Sequence, residues 1–147
     1  MKKLLFLAAT MLLTIAAFAE TIPANDSRVT YVGRTLVEGT DVSFDWTATY
    51  FRLSFSGRSL TMRATDTKWD ATPEMAATRH NYYNVWIDAP MSAEPHRIIE
   101  VASADTIIEL IDPAYLKKSK IKEHQVIVQK RTEGEQGKMT IHEFATD

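Results

Sequence analysis

The chain has 147 residues, with 17 basic against 19 acidic side chains and no cysteine. The slight acidic excess argues against a nucleic-acid partner, which requires a basic face, and without thiols the core must be held by packing alone. Lys2 and Lys3 precede the apolar stretch LLFLAATMLLTIAAFA, and Ala17-Phe18-Ala19 supplies a small-x-small pattern. This form predicts a secretory signal peptide over residues 1–19, cleaved after Ala19. At 16 residues the stretch is shorter than the ~20 of a membrane-spanning helix. Cleavage leaves 128 residues with 15 basic and 19 acidic side chains, a net charge of −4 and the length of one domain. The mature protein is expected to be secreted or periplasmic. With no lipid-accepting cysteine after the signal, no membrane attachment is expected either.

Residues 20–27 read as a polar linker holding Pro23, Asn25 and Asp26. Beyond them the apolar residues recur with period two. Val42, Phe44 and Trp46 form one such run, Phe51, Leu53 and Phe55 a second, Leu60, Met62 and Ala64 a third. Gly57 lies in a four-residue connection, 56–59, that suits a hairpin. Further strands are expected at 28–32, 82–88, 97–101, 106–111, 124–131 and 139–144. Asp112 followed by Pro113 predicts one connective helical turn over 112–118. Eight or nine short strands and at most one helical turn define an all-β, antiparallel sandwich or barrel spanning 28–147. Residues 66–81 break the rhythm for about sixteen positions, longer than an ordinary connection, and carry Trp69.

No serine sits in a G-x-S-x-G or Gly-Asp-Ser context, and no phosphate-cradling glycine motif is present. His80, His96, His124 and His142 lack metal-ligand spacing. Acidic residues that alternate with apolar ones read as solvated strand faces rather than paired catalytic carboxylates. No cofactor or metal is therefore expected. Aromatic content supplies the remaining chemistry, because sugars stack their C–H faces on Trp and Tyr. Trp69, Tyr82 and Trp86 are the candidate carbohydrate-binding residues, with Trp69 the one expected to be exposed. Trp46, at the end of an apolar face, is expected in the core. Tyr82 and Trp86 share one strand parity and Tyr83, Val85 and Ile87 the other, so one set must face inward. In HQVIVQKRTE, parity sets Arg131 and Glu133 side by side as an exposed pair. It also sets Lys130 on the Val126 and Val128 face, where its ammonium must reach past the core edge to water or a carboxylate.

The segments VTYVGRTLVEGTDVSFDW, FRLSFSG, NYYNVWID and HQVIVQKRTEGEQGKMTIHEF occur in an order and spacing that resemble the N-terminal jelly-roll domain of family-two carbohydrate esterases, which are acetyl-xylan-esterase-like enzymes. The most telling pieces are Tyr31-Val32-Gly33-Arg34, the Asn84, Val85, Ile87 and Asp88 set, and the run from His124 to Glu133. In that family the jelly roll precedes an SGNH/GDSL-type hydrolase domain with a serine nucleophile and a histidine base, and no residue of this chain matches either. The resemblance thus implies an exported, non-catalytic accessory domain that binds polysaccharide or docks a hydrolase domain in cis or trans. A complete small hydrolase with an unrecognised site and a structural cell-surface domain are the alternatives. Two departures stand out: Ala48 where a glycine is common in such domains, and a long 66–81 loop.

Overall fold

The computed structural model describes residues 19–67, 74, 80–101 and 105–147. The candidate Trp69 and the signal segment 1–18 lie outside the described residues. Eleven strands form two antiparallel sheets: β1 (Glu20–Pro23), β2 (Val29–Val32), β3 (Leu36–Glu38), β4 (Asp41–Phe44), β5 (Tyr50–Phe55), β6 (Leu60–Thr67), β7 (Asn81–Ile87), β8 (Arg97–Val101), β9 (Thr106–Ile111), β10 (His124–Lys130) and β11 (Lys138–Thr146). One sheet has the order β3-β4-β11-β6-β9, the other β2-β5-β10-β7-β8. This is an all-β sandwich, one of the two architectures that the alternation predicts and the one that the resemblance implies.

Two strands exceed the expected nine. β1 falls in the segment read as a linker, and its signal was weak because Ile22 is its one buried side chain. Long-range pairing supplies the rest: Ile22 lies opposite Phe144. β4 and β1 share one edge of β11, β4 against Met139–Ile141 and β1 beyond it, and the register of β11 shifts at His142. That shift is a bulge in the pairing of β11 with β6, on its other edge.

The inward parities of β5 and β6 hold: Phe51, Leu53 and Phe55 face Leu60, Met62 and Ala64 within one core. Phe51 packs on Phe144 at 5.2 Å between ring centroids, and Phe44 meets Tyr83 edge-on at 6.4 Å. The connection 56–59 is not a hairpin, because β5 and β6 belong to different sheets. It is the corner where the chain changes sheet, and a Cβ on Gly57 there would collide with the Thr146 hydroxyl. The expected helical turn forms as α1 (Pro113–Lys118), capped by Asp112, whose carboxylate accepts the Ala114 N–H at 2.8 Å.

Candidate functional site

β10 is anchored differently at its two ends. At its start, His124 is buried, and its Nδ1 meets Asp88 Oδ2 at 2.8 Å while Asp88 Oδ1 accepts the Gln125 N–H at 2.9 Å. This clamp joins β7 to β10 and accounts for two of the sequence pieces. At the other end Lys130 is 1% exposed. The side chain is buried rather than extended past the core edge, and among the described residues its ammonium meets no carboxylate within ion-pair distance. It donates to Thr132 O at 3.0 Å, Thr132 Oγ1 at 3.2 Å and Glu133 O at 2.9 Å, so the side chain turns back to cap its own following turn.

Thr132 passes the network inward. Its hydroxyl donates to Asn81 Oδ1 at 2.7 Å, and Asn81 Nδ2 reaches both oxygens of the buried Asp66 (2.9 and 3.0 Å) and Gln136 O (2.9 Å). Burial lowers the Lys130 ammonium to about 8, outweighing the opposing pull of Asp66, Asp45 and Glu133. The expected Arg131–Glu133 pair does not form among the described residues. Glu133 Oε2 accepts the Thr47 hydroxyl at 3.0 Å instead.

That contact ties the neighbouring loop to the same end of the sandwich. Thr47 also donates to Thr132 O, Ala48 N–H to Lys130 O and Lys130 N–H to Thr49 O, each at 3.0 Å. Ala48 adopts φ +66°, a left-handed conformation, and this is the physical content of its replacing a common glycine. A Cβ in that region costs about 1 kcal/mol. Ala48→Gly should therefore raise stability by about 0.5 kcal/mol after the greater unfolded-state freedom of glycine is deducted; thermal unfolding checks this, and a lowered melting temperature would contradict it.

The same turn reverses the expectation for Trp46. β4 ends at Phe44, the chain swings outward into the left-handed turn, and Trp46 stands 56% exposed. The guanidinium of Arg34 lies over its ring at 5.1 Å from the centroid. Gly33 makes this approach possible, since at φ +121° a Cβ would sit 2.6 Å from Thr49 Oγ1. Trp46 and Arg34 together border two clefts. One, of about 380 Å³, includes Val32 and Ala48; the other, of about 390 Å³, includes Leu36, Asp45 and Lys138. A third, of about 430 Å³, lies along the Thr132–Glu133 turn and holds His80, Tyr82, Arg131 and Gln136.

Of the residues chosen from sequence, Tyr82 is exposed and lines this third cleft. Tyr83, Val85 and Ile87 take the inward parity. Trp86 points away from the core but is only 3% exposed, and its indole N–H donates to Ala93 O at 2.8 Å. The segment after β7 covers it, so Trp86 offers no open face for a sugar. Trp46 and Arg34 were missed, although Ala48 at a glycine position marked the turn that exposes them.

Among the described residues no group of His, Asp and Glu is arranged to hold a metal ion. Among the described residues a hydrogen-bonded relay lies on the first sheet: Thr65 Oγ1 meets His142 Nε2 at 2.7 Å, and His142 Nδ1 meets Asp41 Oδ2 at 3.0 Å. The residue types follow nucleophile–base–acid logic, but neither Thr65 nor His142 borders the clefts around Trp46 and Tyr82.

The sequence pieces that build both ends of β10 fall within residues 31–147, which match the carbohydrate esterase 2 N-terminal family model. The chain belongs to that family. Among solved structures, a family two carbohydrate esterase from Cellvibrio japonicus aligns with TM-score 0.66 at 19% identity, covering 88% of this chain and 33% of that one. A family two carbohydrate esterase from Clostridium thermocellum, in complex with cellohexaose, aligns with TM-score 0.60 at 16% identity, covering 79% and 30%. The CBM36-1 domain of a multidomain xylanase from the hindgut metagenome of Trinervitermes trinervoides aligns with TM-score 0.55 at 10% identity, covering 87% and 95%. At these identities the likeness is one of fold. The chain spans about a third of the length of the family two esterases it matches. No curated protein matches it by sequence.

Proposed function

We propose that this carbohydrate-esterase-associated domain is an exported accessory module that contacts polysaccharide through the Trp46 end of the sandwich and itself performs no chemistry. The single observation that carries this reading is Trp46, an indole held out of the core by a hydrogen-bonded turn and bordered by two clefts. A large aromatic fixed in the open gives a sugar ring a stacking surface with little entropy left to lose. The polysaccharide would be a substrate of an SGNH/GDSL-type hydrolase domain acting in cis or trans, as family membership suggests. The Thr65–His142–Asp41 relay favours a second reading, a small hydrolase complete in itself.

Native gels cast with xylan, mannan or glucan separate these readings. At least one polymer should retard the purified chain, and Trp46→Ala should weaken that binding at least tenfold, the equivalent of about 1.4 kcal/mol, with an unchanged melting temperature. Equal retardation of the variant would contradict the assignment. Acetate release from acetylated xylan by the purified chain alone would establish the second reading.

A further inference from the structure

The cleft on the Leu36 side of Trp46 holds two cations, Arg34 and Lys138, and one carboxylate, Asp45. Among the described residues neither cation has an ion-pair partner, in a chain whose net charge is −2. The cleft therefore carries one net positive charge beside an exposed aromatic ring.

We infer that this cleft recognises the carboxylate of a uronic-acid unit on the polysaccharide. The inference rests on the reading of the Trp46 end as the sugar-contacting surface and adds the chemical class of the sugar. A guanidinium is planar and can form two parallel hydrogen bonds with a carboxylate, and that of Arg34 lies over the indole, 5.1 Å from the ring centroid. Lys138 adds a point charge from the start of β11. Asp45 fits the same ligand, because it can accept hydrogen bonds from ring hydroxyls, whereas it would repel a multiply charged phosphate. The two cations and one carboxylate thus match a ligand with one negative charge and several hydroxyl groups.

The test uses glucuronoxylan and the same polymer after its carboxyl groups have been reduced to primary alcohols, titrated against the purified chain at 50 and 500 mM NaCl. The unreduced polymer should bind about tenfold or more tightly, as expected when a charged hydrogen-bonded pair is removed, and the difference should shrink at high salt. Arg34→Gln should remove the preference, and Lys138→Gln should reduce it. The comparison of the two polymers needs no variant, so it stands even if a substitution disturbs the turn. Equal binding of both polymers by the wild-type chain overturns uronate recognition and leaves sugar binding intact. Binding of neither polymer, nor of any other glycan, overturns both.

Discussion

Asn81→Ala should lower the unfolding free energy by about 3 kcal/mol, the cost of breaking a buried charged network by removing one member. Asn81 is fully buried and spends its whole amide on the network: Nδ2 serves both oxygens of Asp66 and Gln136 O, while Oδ1 accepts from Thr132. Alanine removes these bonds and leaves the carbonyl of Gln136 and the hydroxyl of Thr132 without their partner. Urea unfolding should show a lower midpoint with an unchanged slope, which marks a loss of stability without a change of fold. The melting temperature should drop by about 10 °C for a domain of this size. A loss below 1 kcal/mol would show that the network does not hold this end of the sandwich.

The second large effect is a rise in stability with pH, carried by Lys130. Its ammonium is lowered from the ordinary lysine value of 10.5 to about 8 in the folded chain, mainly by burial. Well below pH 8 both folded and unfolded chains hold this proton, and Lys130 contributes no slope. Between about 8 and 10.5 the unfolded chain binds more protons than the folded one, so stability rises as pH rises. From pH 7.5 to 9.5 the gain should approach about 2 kcal/mol, and it should be missing from Lys130→Met. Above pH 10 the trend reverses, because burial pushes the hydroxyls of Tyr31 and Tyr83 upward and unfolded tyrosines ionise first. Parallel pH profiles for the wild-type chain and Lys130→Met would rule out a strained buried ammonium.

The fold was legible wherever one strand face is buried and the other is wet. β5 and β6 follow this rule, and their period-two pattern locates them directly. β1 was not legible, since its pairing with the far end of β11 supplies what its own sequence lacks. Trp86 shows the limit of parity: alternation sets it opposite Tyr83, Val85 and Ile87 without deciding which set is inward, and it does not say that a following segment covers the outer face. Trp46 shows the opposite error. Extending the β4 alternation by one step places it in the core, while the left-handed turn at Ala48 takes it to the surface. Lys130 was recognised as the odd member of its strand face. Its partners, Thr132 and Glu133, are local, but the network that fixes their turn runs through Asn81 and Asp66, far away in sequence.

The sequence pieces that identify the family also acquire distinct physical roles. Asp88 and His124 clamp the start of β10, and Lys130 and Thr132 organise the turn at its end. Gly33 gives Arg34 its place over Trp46. The charged end of β10 thus holds in place the loop that exposes Trp46.

Backbone and indole N–H chemical shifts of the ¹⁵N-labelled chain, followed during titration with xylo- and glucurono-oligosaccharides, test this account most directly. Shifts should concentrate at the Trp46 indole, Arg34, Thr47 and Ala48, with smaller changes at Tyr82 and Arg131. Shifts centred on Asp88 and Gln125 at the opposite end of β10, or none across the glycan panel, would contradict it.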